Sequence, residues 1–583
     1  MVVQGKNEEF CLIMKKKKWV LLSKDHSADD IMQISRKLGL PPVIATIIMN
    51  RGITEPENFI NPTEETLLDP FLMKGMKQAT KRIIAALENH EKIAIYGDYD
   101  VDGITSTAIM VRFLRSHKAD VVYYIPDRLE EGYGIHKSAI DKIAENGVTL
   151  LITVDCGITA VSEIAYAKEK GIDTIITDHH ECKDEIPEAY CLLNPKQPDC
   201  PYPFKKLAGV GVAFKLLQAL TLEMRFHMRE LIEEYADLVA IGTVADVMPL
   251  VGENRIIVKK GLELLRYTMN RGIRALAETA EIDLSGIQTG TIGFAIAPRI
   301  NAAGRMGDPR CAVELLLATD DMTAKRYAEQ LNAENRERQE TEISILEEVL
   351  STIESTPSFQ EDYVLVLSHD NWHHGIIGIV ASKISERFHK PCILISTDGE
   401  TGKGSGRSIR SFNLFKALEH CQDCLLKFGG HDLAAGLSVA PDQIDAFREK
   451  INAYAKQTMS EEDFVPLLYL DSELPAQYIN MNTAEKLSIL EPYGMGNASP
   501  LFYVRQMTVS QIRPLSDGKH IKLTLRSGSY SVDAVGFHMG ELSTLLKNDD
   551  LIDIAFNLDI NMYRGMRQLQ VLLKDVKRSE VTG

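Results

Sequence analysis

Three carboxylates stand at alternating positions in Gly97-Asp98-Tyr99-Asp100-Val101-Asp102-Gly103. A set this close repels itself unless positive charge lies among the side chains. Hard divalent cations such as Mg2+ or Mn2+, which take oxygen ligands, supply that charge. Taken alone, such a stretch is equally a solvated acidic turn. Further acids and histidines end other apolar runs: Leu151-Ile-Thr-Val-Asp155-Cys-Gly157, Thr174-Ile-Ile-Thr-Asp178-His179-His180 and Leu238-Val-Ala-Ile-Gly-Thr-Val-Ala-Asp246. One Asp in such a place is commonly a turn or a cap, and one His pair is commonly structural. Four such endings in a single α/β unit converge on one rim and make a site for two metal ions.

The elements that must carry these residues alternate. Strand-like runs fall at 92–96, 121–125, 150–154 and 174–177, with helical stretches at 106–116, 137–146 and 160–170. Strands alternating with helices imply βαβ units and a mostly parallel sheet. Its carboxyl edge, where open α/β sheets hold ligands, receives the acids. The acidic stretch also looks like the opening of a calcium loop. An EF-hand, however, needs an entry helix and a downstream Glu, and here a strand leads in and no Glu stands at that place. Cys156 beside Asp155 is expected to turn away from any ion.

With 583 residues the chain divides into several domains. A net charge of −17 argues against coating nucleic acid along the whole surface, while leaving room for a local basic groove. The nine cysteines, Cys421-x-x-Cys424 included, read as reduced thiols of a cytoplasmic protein. No secretory signal stands out, no run approaches the ~20 apolar residues that span a bilayer, and no membrane partner is expected. Residues 1–25 read as a basic leader closing on one strand, and residues 1–85 as a helical preface to the catalytic domain. Residues 308–355 read as a long helix, charged almost all round and therefore exposed. Strands at 363–367 and 392–396, a helix at 377–387 and a flexible glycine segment at 399–406 mark a smaller α/β domain. Five short strands between 506 and 576 suggest an OB barrel, which binds single strands by stacking and backbone charge. Tyr503, Arg505, Lys519, Arg564 and Arg567 are its candidate contacts.

The ordered motifs GDYDVDG, VDCG, TDHH and GTVAD resemble the four signatures of the DHH phosphoesterase superfamily. Ala297-Pro-Arg299-Ile-Asn301-Ala-Ala-Gly-Arg305, Gly404-Ser405-Gly-Arg407-Ser408-Ile and Phe428-Gly429-Gly430-His431 resemble the further motifs of its RecJ branch. The resemblance runs from about residue 30 to the C-terminus. It implies a DHH catalytic domain (86–305), a connecting helix (306–356), a DHH-associated substrate-binding domain (357–457) and an OB-fold nucleic-acid-binding domain (458–583). It implies a metal-dependent exonuclease that hydrolyses single-stranded DNA from the 5′ end to mononucleotides, in repair and recombination.

By the same resemblance the cofactors are two divalent cations, Mn2+ or Mg2+, held by Asp98, Asp100, Asp102, Asp155, His179 and Asp246. Asp155 would bridge the ions, Asp178 would orient a neighbouring ligand, and His180 would contact the scissile phosphate. Asp155, His180, Asp100 and Asp102 form the catalytic set. Tyr96 stands where many superfamily members carry a histidine, and Asp98 is placed to take over that role. Arg128, Arg305 and Arg407 would cradle the terminal phosphate or the nearby backbone, with Ser405 assisting, because the planar guanidinium fork pairs two oxygens. Arg299, Asn301, Ser408, Gly429, Gly430 and His431 complete the substrate set. A monomer is expected, with single-strand-binding protein and a helicase as candidate partners. Larger members carry a further C-terminal domain, and no partner-binding role of such an extension is expected here. Two other readings stand beside this one. One is a DHH phosphodiesterase for short oligonucleotides or nucleotides, which needs no strand platform. The other is a non-catalytic binding protein, which would have lost its metal ligands.

Overall fold

The computed structural model of the chain describes residues 17–22, 26–128, 131–132, 134–563 and 566–579. Two compact units emerge. One comprises Pro62–Ala455 with Pro492–Asn497, the other the described residues of Met1–Asn61, Lys456–Glu491 and Ala498–Gly583.

In the first unit, five parallel strands lie in the order Asp120–Tyr124, Lys92–Gly97, Leu150–Val154, Asp173–Thr177, Cys191–Leu193. Ile93 and Ile95 pack into the core on one face, Ala94 and Tyr96 into the core on the other. With helices on both faces, the strands are continuous apolar runs without polar alternation. The sequential order places the second strand on one side of the first and the third on the other. The first and third strands therefore flank a topological switch point, where ligands bind at the strands' carboxyl ends. Asp98–Asp102 follows one of these strands and Asp155 the other. The three-residue strand Cys191–Leu193 was too short to be legible as an apolar run.

The helix after the first strand spans Val101–Ser116, five residues earlier than expected, because Asp100 caps it. The apolar run ending at Asp246 is not a strand. It is the second half of the helix Met228–Ala245, with Asp246 as its C-cap. Residues 308–355 form two helices, Arg310–Leu317 and Asp321–Ser355, separated where Asp320 caps the second. That second helix is not solvated all round. Ala324, Ala328, Leu331, Asn335, Arg338 and Glu342 are among the residues it buries. The charges on this face pair with one another: Arg338 bonds Glu342, and Lys383 bonds the same carboxylate.

The second sheet of this unit runs Lys427–Gly430, Ala434–Val439, Gly402–Arg407, Cys392–Thr397, Leu365–Asp370, with only the last pair parallel. Gly402–Arg407, expected within a flexible segment, is its central strand. Glycine at 402, 404 and 406 fits because a Cβ there would press within 2.8–2.9 Å of Ile395, Leu437 and Leu414.

In the other unit, Phe502–Leu515, His520–Ser527, Tyr530–Gly536, Met566–Arg578 and Leu551–Tyr563 are joined in turn, and Phe502–Leu515 also pairs with Leu551–Tyr563. This closes a five-stranded OB-like barrel. The opening segment packs on the barrel's unit. Lys18–Leu21 pairs with Leu467–Leu470, the Trp19 indole donates to Asp575 at 2.6 Å, and Arg51 forms a two-point ion pair with Asp471. The candidate contacts Tyr503, Arg505, Lys519 and Arg567 lie on this unit, and Arg564 is outside the described residues. Among the described residues no helix is long and apolar enough to cross a membrane.

Candidate metal centre

Seven side chains meet at the switch point in three overlapping triads, one of them Asp155, His179 and His180. Ligand atoms of Asp98, Asp100 and Asp155 lie within 4.8 Å of one another, and so do those of Asp102, His179 and Asp246. Asp155 stands between these two triads, its Oδ1 3.2 Å from His179 Nε2. The same imidazole nitrogen is 3.6 Å from Asp246 Oδ2 and 3.9 Å from Asp102 Oδ2.

Backbone amides hold these carboxylates in place. Asp100 Oδ1 accepts from the amides of Asp102 and Gly103, at 2.9 and 3.1 Å, as the helix N-cap. Asp102 accepts from the amides of Gly209 and Val210, at 2.6 and 2.7 Å. These open the helix Gly209–Glu223, so otherwise unpaired amides and the positive end of a helix dipole both face the acid. Asp155 follows its strand with φ at 60°, a left-handed conformation that Asp tolerates better than most residues. Asp178 is a positioning residue. Its Oδ1 accepts from the amides of His179 and His180 and from His180 Nδ1, at 2.7, 3.1 and 2.8 Å, and its Oδ2 from the Ile158 amide.

The electrostatics of these groups favour a bound cation. Burial, and then mutual repulsion, raise the carboxyl groups of Asp98, Asp102 and Asp155 well above the usual carboxylate range. Burial and the Asp100 charge push Asp246 up to about 7. Burial and then the neighbouring His180 charge take His179 down to about 3, leaving a neutral imidazole suited to ligation. His180 differs. Burial opposes its imidazolium, but the Asp178 hydrogen bond and charge outweigh burial and hold it up to about 9. Asp98 Oδ1, Asp155 Oδ1 and Asp246 Oδ2 are buried without a hydrogen-bond partner among the described residues. Buried polar atoms are rarely left so. Oxygen donors with one or two imidazoles suit Mn2+ or Mg2+. Cys156 offers no ligand, its thiol lying 3.8 Å from the Tyr96 carbonyl oxygen.

Beside the acids lies a cluster of guanidinium groups. Burial, and then the charges of Arg128, Arg338 and Arg407, hold Arg305 down to about 10. Burial and Arg128 likewise lower Arg407. Arg128 stacks over the Tyr99 ring at 5.0 Å, and Arg305 donates to the Gly375 carbonyl at 2.5 Å. Gly378 leaves space for Ser405 and Arg407, since a Cβ there would stand 2.8 and 3.1 Å from their side chains.

Other residues singled out from the sequence have local partners. Asn301 Oδ1 accepts from the Val101 amide at 3.2 Å and so braces the acidic turn. Arg299 donates to Asn332 and to the Ala295 carbonyl, and the Ser408 hydroxyl donates to the Phe412 carbonyl. Gly429 pairs with Gly436, and Gly436 with Ser405, so a row of small residues crosses three strands. Gly430 and His431 are exposed at the end of the edge strand. Gly209 was missed in the sequence. A Cβ there would lie 2.4 Å from Asp155 Oδ1. The signal was present in Ala208-Gly209-Val210-Gly211, a glycine pair opening an apolar helix with no acid or histidine to mark it. Arg338, hidden in a charged helix, was missed for the same want of a motif.

Comparison with known proteins agrees with this geometry. Residues 92–243 match the DHH family, N-terminal domain; 361–457 the DHHA1 domain; and 470–575 the RecJ OB domain. The single-stranded-DNA-specific exonuclease RecJ of Bacillus subtilis (strain 168) is 40% identical over 575 residues, covering 98% of this chain and 72% of the relative. The protein of the same name from Dickeya dadantii (strain 3937) is 37% identical, over 92% of this chain and 96% of its own. The crystal structure of RecJ from Thermus thermophilus in complex with Mn2+ superposes with a TM-score of 0.84 at 32% identity, over 97% of this chain and 80% of that one.

Proposed function

The chain belongs to the RecJ family of the DHH superfamily, and from that premise we propose that it removes mononucleotides from the 5′ end of single-stranded DNA. The observation that carries the reading is Asp155 standing between two ligand triads, with a half-buried arginine cluster beside them. Asp98, Asp100 and Asp155 would hold one divalent ion, and Asp102, His179 and Asp246 the other, with Asp155 shared. When bound, Mn2+ or Mg2+ at such a pair activates a water and neutralises charge on the phosphate. The protein's own groups do the rest. Asp102 and Asp100 are fixed by amides, so the ligand set is preorganised. His180, whose Nδ1 faces Asp178 and which that carboxylate holds up to about 9, would give a proton to the leaving oxygen. Arg305, Arg128 and Arg407 repel one another, and a terminal phosphate with two charges relieves that repulsion. Anchoring the end phosphate at a fixed distance from the acids makes cleavage exonucleolytic and fixes the product as one nucleotide.

In this reading residues 86–305 are the catalytic domain, 357–457 hold the substrate, and the barrel within 458–583 takes the strand. The protein works in the cytoplasm as a monomer, in repair and recombination, with single-strand-binding protein and a helicase as partners. The test is digestion of single-stranded DNA labelled at one end or the other, with Mn2+ or EDTA, alongside Asp155→Ala. Early mononucleotide release from the 5′ label, lost with EDTA and in the variant, is expected. Hydrolysis of dinucleotides without attack on long strands would overturn the reading.

A further inference from the structure

Phe294 is 88% exposed, more than any other large apolar side chain among the described residues. It lies in the π-helical turn Ile292–Ile296, which leads directly into the helix Ala297–Met306. Such turns are frequent at functional sites. In the helix Ala297–Met306, Pro298, Asn301 and Arg305 recur at spacings of three and four and share one face, and Phe294 stands four residues before Pro298 in the π-turn that leads into it. Two of these residues fix what that face looks onto. Asn301 accepts from the Val101 amide of the acidic turn, and Arg305 belongs to the arginine cluster. The face thus runs from the phosphate anchor, past the acids, to Phe294. Seven residues separate Asn301 from Phe294, about 10 Å along a helix. That is about three nucleotides at the 3.4 Å spacing of a stacked strand, and fewer in an extended one. There is room beside the ring, since a Cβ on Gly293 or on Gly290 would meet nothing within 4 Å.

We propose that Phe294 is a stacking post for an unpaired base of the incoming strand, two or three nucleotides beyond the scissile phosphate. This rests on the 5′-anchored exonuclease reading above. The ring is a positioning residue: it touches no reacting atom and holds the strand in line with the acids. In a duplex the faces of the bases are already stacked, so the contact also favours single strands. Base–aromatic stacking tolerates every base, as an exonuclease requires.

The test uses the full chain and 5′-phosphorylated strands carrying 2-aminopurine at single positions from the second to the sixth, bound in EDTA so that nothing is cleaved. One position near the third or fourth should be quenched by the wild type, not by Phe294→Ala, and again by Phe294→Trp. With Mn2+, Phe294→Ala should raise KM for long strands roughly fivefold or more, from the stacking lost. That effect should leave kcat alone and shrink on a 5′-phosphorylated dinucleotide, which does not reach the ring. Wild-type quenching without cleavage would support the stacking post and sink the exonuclease reading. Cleavage by the wild type with an identical quenching profile and KM in Phe294→Ala would overturn the stacking post alone.

Discussion

Replacing Asp155 by Asn should make the metal-free protein more stable and deny it most of the stability that metal confers. Asp155 is buried, and a ligand oxygen lies within 4.8 Å of those of Asp98 and Asp100. At an effective dielectric constant near 20, two unit charges 4 Å apart repel by about 4 kcal/mol. The folded protein limits that cost by binding protons. Keeping one carboxyl neutral at pH 7.5 costs at most about 5 kcal/mol, at 1.36 kcal/mol per unit above an ordinary value near 3.9. Removing one charge should therefore recover about 2–3 kcal/mol, less than either bound because neighbouring groups readjust. Asn keeps the size of Asp and accepts the left-handed backbone at φ 60°. The buried Oδ1 has no hydrogen bond among the described residues to lose. Urea or thermal unfolding in EDTA reads the first effect, and the same scans with Mn2+ read the second. A ligand at a hundred times its Kd stabilises by about 2.7 kcal/mol, and the wild type should show a gain of that order while Asp155→Asn shows little. A variant less stable than wild type in EDTA, or one with the wild-type response to Mn2+, would refute the reasoning.

The same acids predict a pH dependence. Asp246 is pushed up to about 7, so between about 4 and 7 the metal-free folded state holds protons that the unfolded state has lost. Stability in EDTA should therefore fall as pH rises through that window, and the thermal shift on adding Mn2+ should be larger at pH 7.5 than at 5.5. Gly209→Ala should cost activity roughly 100-fold or more and abolish the Mn2+ shift while circular dichroism stays native, because the new methyl group meets Asp155 at 2.4 Å. Asp178→Asn should lower the His180 titration followed by NMR from about 9 towards an ordinary histidine value, with loss of kcat on the high-pH side. Arg305→Ala should raise KM for 5′-phosphorylated strands roughly 10- to 100-fold, the worth of a charged hydrogen bond. It should also erase the preference over 5′-hydroxyl strands in paired assays.

The first sheet was legible because its strands are buried on both faces and read as unbroken apolar runs, such as Leu150–Val154. The candidate ligands stood out because acids and histidines at the ends of apolar runs have few other uses together. Asp246 was placed correctly on the rim but on the wrong element. Leu, Val, Ala and Ile crowd the stretch before it, and that composition does not separate a strand from a buried helix. The Asp321–Ser355 helix misled in the opposite direction. Arg338 and Glu342 look like surface charges, yet they are buried as a pair, and Lys383 is brought over from another helix to bond the same carboxylate. The glycines of Gly402–Arg407 suggested mobility, whereas packing of Ile395, Leu437 and Leu414 against that strand demands them. Contacts made at such distance in sequence leave no local pattern.

The most direct measurement of the two-ion centre is anomalous diffraction from crystals of the wild-type chain grown with Mn2+. Two peaks about 3.5–4 Å apart, the usual separation in two-metal sites, are expected on either side of Asp155. One should be ligated by Asp98 and Asp100, the other by Asp102, His179 and Asp246. A single ion, or a pair that Asp155 does not touch, would contradict it.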